Sequence, residues 1–188
     1  MSEAISALGG ARFEGYVTVE EVGPVGMITL RGALGSPTLA KAVESVMGVE
    51  VPASRRIETA GTKSVAWMSP DELLLVLPYA EVTATQAALT AALGKDHALA
   101  VDVSDARAVF RIKGDKAREV LAKLCPVDLS PAVFHAGEVR RTRAAQVAAA
   151  LWLSGGDEFT LVCFRSVAGY VMGLLRASAA PGGEVGLF

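Results

Sequence analysis

Cysteine, histidine and net charge are all scarce in this sequence of 188 residues. The chain has two cysteines and two histidines, and its formal net charge is −2. Two cysteines are too few for the disulfide framework of a small secreted domain, so we expect a reducing, cytoplasmic location. The first residues also lack the basic-then-apolar order of a secretion signal. A slightly negative chain attracts neither nucleic acid nor anionic lipid, so we expect no nucleic-acid and no membrane partner.

Motifs for catalysis and cofactor binding are also missing. His97 and His135 lie in predicted loops, and with the two cysteines they show no metal-ligand spacing. Neither the G-x-G-x-x-G nor the G-x-x-x-x-G-K-S/T phosphate loop occurs. Cys125 stands at the end of a predicted helix, where the outward carbonyls disfavour a thiolate, and Cys163 lies within an apolar strand. We therefore expect no catalytic, cofactor-binding or metal-binding residue on this chain.

Apolar residues, by contrast, are abundant. They make up 52% of the sequence, and the mean hydropathy is +0.40. No uninterrupted apolar run approaches the roughly 18 residues that a membrane helix needs. A small monomer has little interior for so much apolar material, so we expect another protein to cover part of the surface. The isolated chain is accordingly expected to self-associate.

The clearest local pattern is a strand, a glycine and a helix in the middle of the chain. Ala108, Phe110 and Ile112 alternate with the residues between them, which predicts a strand with one apolar face. Gly114 ends that strand, and apolar residues then recur at helical spacing. Asp115 stands where a helix N-cap or a first-turn acid belongs.

A similar unit occurs in the first half of the chain. Ser36 is predicted to cap a helix that starts with Pro37 and stops at Gly48. Each unit is followed by a hairpin and a further helix, and the last helix is predicted to be capped by Ser166. The two hairpins align when Trp67 is matched with Trp152.

Because the order of elements repeats, the sequence predicts an α+β fold of duplicated β-α-β-β-α units in one compact pseudo-symmetric domain. The expected segments are a flexible arm (residues 1–14), a first repeat (15–97), a second repeat (98–177) and a flexible tail (178–188).

Arginine provides the candidate functional residues. Three arginines lie on one predicted strand, and another lies on the strand of the central unit; the four are Arg107, Arg140, Arg141 and Arg143. They could form an ordinary solvated face or a protein-contact patch, since arginine suits desolvated ion pairs better than lysine does. Under the second interpretation, charge reversal at Arg140 or Arg143 is expected to weaken capture of a partner without unfolding the chain.

Four segments resemble the gamma subunit of heterotetrameric sarcosine oxidase. The likeness covers about residues 26–175 and rests on the succession of VDVSDARAVFRIKG (101–114), AREVLAKLCPVDL (117–129), VRRTRAAQV (139–147) and FTLVCFRSVAGYVMGLL (159–175). The resemblance implies a fold related to the folate-binding domain of glycine-cleavage aminomethyltransferases. It also implies alpha, beta and delta partner subunits, which together convert sarcosine, oxygen and tetrahydrofolate to glycine, hydrogen peroxide and 5,10-methylenetetrahydrofolate.

Within such a complex the resemblance implies a non-catalytic, structural or assembly role for this chain. FAD, FMN, NAD, zinc and tetrahydrofolate are then expected on the partner subunits and none of them on this chain. The alternative is a stand-alone folate-binding protein similar to an aminomethyltransferase. That function needs a pocket with an acid and an aromatic wall, for which the candidates are Tyr79, Trp67 and Trp152.

Overall fold

The computed structural model describes residues 4–188, which contain eleven strands and four α-helices. The strands are β1 (Arg12–Glu14), β2 (Thr18–Val22), β3 (Val25–Arg31), β4 (Ile57–Ala60), β5 (Lys63–Ser69), β6 (Glu72–Pro78), β7 (Leu99–Asp102), β8 (Arg107–Lys113), β9 (Val139–Ala144), β10 (Val147–Gly155) and β11 (Glu158–Phe164). The helices are α1 (Pro37–Met47), α2 (Val82–Leu93), α3 (Ala117–Ala122) and α4 (Ala168–Ser178).

The chain divides into two compact units. The inserted unit comprises residues 25–104, and the flanking unit comprises the chain on either side of it, up to residue 24 and from residue 105. The inserted unit holds a five-stranded antiparallel sheet in the order β4-β5-β6-β3-β7 with helices α1 and α2. The flanking unit holds a six-stranded antiparallel sheet in the order β1-β2-β8-β11-β10-β9 with α3 and α4. The predicted α+β class is confirmed.

Each unit has its own apolar core between one face of its sheet and its helices. In the inserted unit the core includes Ile28, Leu75 and Leu89, which are fully buried. In the flanking unit the sheet residue Phe110 packs in the same cluster as Val171 of α4. The alternation seen in the sequence therefore marks the helix-covered face of each sheet. None of the helices within residues 4–188 is long and apolar enough to cross a lipid bilayer.

The two units repeat one topology. Strands β4, β5, β6, β3 and β7 of the inserted unit correspond, in sheet order, to β9, β10, β11, β8 and β2 of the flanking unit. The hairpins also share an irregularity, because the register shifts between Trp67 and Ser69 in one and between Leu153 and Gly155 in the other. The agreement of strand order and bulge position supports the predicted duplication.

The two units do not follow the predicted repeat boundaries. Strand β2, expected in the first repeat, pairs with β8 in the flanking sheet. Strand β7, expected in the second, pairs with β3 in the inserted sheet. The units therefore differ from the predicted segments 15–97 and 98–177, because each contains one strand that was expected in the other repeat. Alternation of apolar residues shows which face of a strand is buried but carries no information about the neighbour that it joins.

The match of Trp67 with Trp152 is corrected by one residue. Trp67 lies opposite Leu73, and the corresponding pair in the flanking unit is Leu153 with Phe159. Because successive side chains of a strand point to opposite faces, Trp152 lies on the sheet face away from the helices. Trp67 instead packs against the inserted core.

Of the predicted helix caps, the two of α1 are confirmed, and the N-caps predicted for α3 and α4 are wrong. The Ser36 hydroxyl accepts a hydrogen bond from the N–H of Leu39 at 3.4 Å, and Gly48 adopts a φ of 72°, as a left-handed C-cap requires. Asp115 and Ser166 each lie two residues before their helix begins, and neither helix has a side-chain cap. Backbone carbonyls in tight turns accept the first amides of these helices instead.

The predicted arm, residues 1–14, takes part in the flanking unit over most of its length. Residues 1–3 lie outside the described residues. The buried carboxylate of Glu21 accepts hydrogen bonds from the Ser6 hydroxyl and from the backbone N–H groups of Ala7 and Gly10, at 2.8–2.9 Å. Residues 12–14 then form β1. Besides these hydrogen bonds, Leu8 and Phe13 pack against the flanking core, but no apolar periodicity in the sequence predicts this.

Candidate interaction surface

The predicted arginines lie on two faces of the flanking sheet. Strand β9 carries three of them: Arg140, Arg141 and Arg143. Because successive side chains of a strand point to opposite faces, Arg140 points to one face and Arg141 and Arg143 to the other. The Arg140 guanidinium lies 5.1 Å from the centre of the Phe134 ring, which belongs to the apolar core. Arg141 and Arg143 therefore point away from the helices, and both are exposed.

Arg140 is engaged within the flanking unit. Besides the ring contact, its guanidinium forms an ion pair with Glu138 at 3.3 Å. Burial alone would raise the pKa of Glu138, but the His135 N–H and the Arg140 guanidinium outweigh it, so the pKa lies below its ordinary value. We therefore assign Arg140 a role in holding the 134–140 segment, and the structure does not bring it together with the other arginines.

Arg107 and Arg143 belong to one row across the sheet. Arg107 lies opposite Phe164, and its guanidinium stacks on that ring at 4.2 Å from the centre. Ala149 pairs with Cys163, so the preceding residue, Ala148, lies beside Phe164. Ala148 in turn lies opposite Arg143, and the row therefore runs from Phe164 through Ala148 to Arg143. Phe164 is 47% exposed, and Ala148 and Arg143 are exposed too.

We call this row the arginine–aromatic row: Arg107, Phe164, Ala148 and Arg143. An exposed aromatic ring flanked by arginines is typical of protein interfaces, in which both residue types are enriched. Sequence reasoning missed Phe164, which is the last residue of β11. Arg141 lies on the same face, two residues along β9.

The same sheet face holds a cavity of about 340 Å³. Its lining residues are Arg12, Thr18, Glu20, Arg111, Lys113 and Glu158. Arg111 and Glu158 form an ion pair at 3.6 Å across it. All six lining side chains are polar or charged, whereas a site for a flat heterocycle needs apolar or aromatic walls. This cavity therefore suits water and ions and offers no stacking surface for a pterin ring.

The cysteines are poorly suited to nucleophilic chemistry. Burial raises the pKa of the Cys125 thiol to about 12. It also raises the pKa of the Cys163 thiol to about 11, and nearby Arg107 offsets that only in part. Both thiols are buried and free, so they remain protonated at neutral pH. Within residues 4–188, no group of three or more His, Cys, Asp or Glu side chains could hold a metal ion.

The candidate pterin-binding residues do not form one constellation in either unit. Trp67 and Tyr79 belong to the inserted unit, where Trp67 packs against the core and Tyr79 opens a short 3₁₀ turn, Tyr79–Glu81. Trp152 belongs to the flanking unit and is only 7% exposed. Trp67 thus serves packing of the inserted core.

A glutamate on α3 and the lysine that follows this helix bind the end of the chain, a feature that sequence reasoning missed. We call Glu119 and Lys123 the C-terminal clamp. The Glu119 carboxylate accepts hydrogen bonds from three consecutive backbone N–H groups, those of Val185, Gly186 and Leu187, at 2.8, 2.9 and 3.3 Å. Lys123 donates to the carbonyls of Ser178 and Gly183. The predicted flexible tail, residues 178–188, therefore has polar partners in the flanking unit.

Electrostatics reinforces this clamp. The N–H of Val185 is the main cause that lowers the pKa of Glu119, and the amides of Leu187 and Gly186 and the Lys123 ammonium add to it, while burial opposes them. The spacing of four residues between Glu119 and Lys123 was the only signal in the sequence, and it is shared by many ordinary helix surfaces.

Comparison with known proteins gives a consistent result. The Sarcosine oxidase, gamma subunit family matches residues 31–181. The chain belongs to the sarcosine oxidase gamma subunit family. A gamma subunit from Corynebacterium sp. (strain U-96) is 34% identical over 152 residues, which cover 79% of this chain and 72% of that protein. One from Arthrobacter sp. is 32% identical over 147 residues, covering 75% and 69%.

Solved structures support the same assignment. A chain of the heterotetrameric sarcosine oxidase from Corynebacterium sp. U-96, in complex with pyrrole 2-carboxylate, superposes with a TM-score of 0.81 at 29% identity. The match covers 89% of this chain and 87% of that chain. The glycine cleavage system aminomethyltransferase T from Bartonella henselae superposes with a TM-score of 0.62 at 13% identity, covering 86% and 46%. That second likeness shows the fold alone, and it confirms the predicted resemblance of fold to a glycine-cleavage aminomethyltransferase.

Proposed function

We propose that this gamma-family chain is a non-catalytic assembly subunit of a sarcosine oxidase complex. The observation that carries the proposal is the arginine–aromatic row, in which the exposed ring of Phe164 lies between Arg107 and Arg143. Exposure of a phenylalanine ring to water is unfavourable, and a partner that covers the ring would remove this unfavourable hydration. Charge complementarity favours an acidic surface on the partner, because Arg141 and Arg143 place positive charge on the same sheet face.

The complex that we propose contains alpha, beta and delta subunits. It would oxidise sarcosine with oxygen and transfer the one-carbon unit to tetrahydrofolate, giving glycine, hydrogen peroxide and 5,10-methylenetetrahydrofolate. FAD, FMN, NAD, zinc and tetrahydrofolate would be bound by the partner subunits. The protonated, buried thiols and the polar cavity of this chain support that division of labour. The two free cysteines fit a reducing cytoplasm, where we place the complex.

Co-expression tests this proposal. The chain is expressed with the alpha, beta and delta subunits from its own source, and the complex is captured through a tag on the alpha subunit. Sarcosine-dependent peroxide formation is measured with and without the chain, and the isolated chain is titrated with FAD, FMN and tetrahydrofolate. We expect a stable complex whose yield or activity depends on the chain, and no binding by the chain alone.

Two results would contradict the proposal. A chain that stays out of the complex would remove the assembly role. A chain that binds tetrahydrofolate by itself and ignores the other subunits would instead support the alternative, a stand-alone aminomethyltransferase-like protein.

A further inference from the structure

The inserted sheet ends on a strand whose outer edge is open. Strand β7 is the last strand of that sheet and pairs with β3 on one side, and no strand within residues 4–188 pairs with its other side. Leu99, Val101 and Asp102 are all exposed on it. Exposed sheet edges invite pairing with another chain, and proteins commonly protect them with charge, proline or a covering segment.

The direction of the backbone groups on β7 follows from its pairing. In an antiparallel ladder, residues alternate between those that bond to the neighbour and those that point away. The N–H of Val103 donates to Met27 of β3 at 2.9 Å, so Leu99 and Val101 also bond to β3. Ala100 and Asp102 must then direct their backbone N–H and C=O groups outward.

One contact confirms that direction. The Gln86 side chain of α2 donates from Nε2 to the Ala100 carbonyl at 3.0 Å, so this carbonyl is not bonded to β3. Gln86 thus occupies one outward acceptor, while the outward N–H groups of Ala100 and Asp102 remain available to a new strand.

The flanking unit shows how the equivalent edge is completed. Strand β2 corresponds to β7, and its outer edge is covered by β1, a three-residue antiparallel strand. The groups that β1 uses are those of Val19 and Glu21, since Glu21 N–H donates to the Ala11 carbonyl at 2.8 Å. In the two registers, Val19 corresponds to Ala100 and Glu21 to Asp102. The chain therefore supplies a covering strand for one edge and leaves its counterpart open.

The side chains of the two edges differ as well. On the face away from the helices, β2 carries Thr18 and Glu20 at the positions where β7 carries Leu99 and Val101. Leu99 is 58% exposed and Val101 is 38% exposed. Two apolar residues at alternate positions of an open edge are typical of a site where a peptide adds as a further strand. In such sites backbone hydrogen bonds give affinity and contacts with the alternate side chains give specificity.

We propose that β7 is a docking edge for an extended segment of a partner subunit, which adds as an antiparallel strand and covers Leu99 and Val101. The inference rests on the proposed function for the identity of the partner. The segment would be about as long as β1 and would carry apolar residues at alternate positions. Its carbonyls would accept from the N–H groups of Ala100 and Asp102, as β1 does for the equivalent residues of β2.

Hydrogen exchange tests the proposal on the isolated chain and on the assembled complex. The amides of Ala100 and Asp102 are expected to exchange freely in the isolated chain and to slow by at least roughly tenfold on assembly, since a new backbone hydrogen bond protects them. The amides of Leu99 and Val101 bond to β3 and serve as the internal control, with protection in both states. Fragment mass spectrometry with electron-transfer dissociation resolves the four residues.

A charge variant gives an independent readout. The double variant Leu99→Glu/Val101→Glu is expected to lower capture by the partner subunits at least about tenfold, because it places charge in the apolar contact. Tyr170→Glu is a control for adding one negative charge at an exposed aromatic position, since Tyr170 is 51% exposed on α4 rather than on a strand. Both variants should retain the circular dichroism spectrum and unfolding temperature of the parent chain.

The outcomes separate this inference from the proposed function. A complex that assembles while the Ala100 and Asp102 amides keep exchanging freely would overturn the docking edge and leave the assembly role intact. Protection that appears in the isolated chain as its concentration rises would identify a second copy as the occupant and overturn the assignment to a partner subunit. A wild-type chain that forms no complex would overturn both.

Discussion

Charge reversal separates the two arginines that the sequence treats alike. Arg140→Glu removes two interactions, the ion pair with Glu138 and the contact with the Phe134 ring. The Arg140 and Glu138 side chains are only 21% and 17% exposed. The pair and the ring contact contribute up to about 1 kcal/mol each, and the new glutamate would stand beside Glu138. We expect the free energy of unfolding to fall by about 2 kcal/mol, which lowers the unfolding temperature by roughly 4–8 °C.

Arg143→Glu should behave in the opposite way. Arg143 is exposed, so its replacement is expected to change the free energy of unfolding by less than about 0.5 kcal/mol. Because it lies in the arginine–aromatic row, the affinity for the partner subunits should fall at least about tenfold, or 1.4 kcal/mol. The loss should shrink as salt is raised, since an exposed charge contact is screened.

Two measurements on each variant provide the comparison. Thermal unfolding is followed by circular dichroism, and affinity is measured by titrating the remaining subunits onto the immobilised chain well below the unfolding temperature. Arg55→Glu is the control, because it makes the same charge change at an exposed site in the inserted unit. Equal unfolding temperatures for the Arg140 and Arg143 variants, or unchanged capture by Arg143→Glu, would refute the division of roles.

Three further predictions concern the flanking unit. Gly15→Ala should lower the free energy of unfolding by about 2–4 kcal/mol in chemical denaturation, because the new Cβ would lie 1.8 Å from a backbone carbonyl oxygen of residue 179. Gly35→Ala, which meets nothing within 4 Å, should be neutral or slightly stabilising. Cys125 and Cys163 should resist a thiol reagent at pH 8 until denaturant is added, since their raised pKa values keep them protonated. Glu119→Gln should lower the protection of the Val185 and Gly186 amides, measured as the ratio of the intrinsic to the observed exchange rate at each pH, and acid should lower the same ratio in the parent chain. The sign follows from the lowered pKa of Glu119, whose stabilising effect is present above the unfolded pKa and is lost as pH falls through the folded one.

Each of these has a clear contrary result. Equal stability of the two glycine variants would show that the chain relaxes around residue 15 at little cost. Rapid labelling of either cysteine in the folded chain would contradict its burial. Unchanged exchange in the Glu119 variant would mean that other contacts hold the C-terminal residues.

Local sequence determined the elements that local chemistry can specify. Helix α1 follows from Ser36 as N-cap and Gly48 as a left-handed stop, and β8 follows from the alternation through Phe110. The order strand, helix, hairpin, helix was visible twice in the sequence, and it gave the α+β class and the duplication. The resemblance across residues 101–175 pointed to the family that the comparisons confirm.

Only the tertiary structure decided which strands are neighbours and which side chains share a face. The exchange of β2 and β7 between the sheets depends on backbone hydrogen bonds between residues far apart in sequence, and these bonds have no residue-specific signature. A shift of one residue reverses the face of every side chain on a strand, which is why the match of Trp67 with Trp152 was wrong. Three features could not be predicted from the sequence: the arginine–aromatic row, the C-terminal clamp and the open edge of β7. The physical reason is that each depends on which distant segments become neighbours, and strand pairing and register are properties of the fold rather than of any one stretch of sequence.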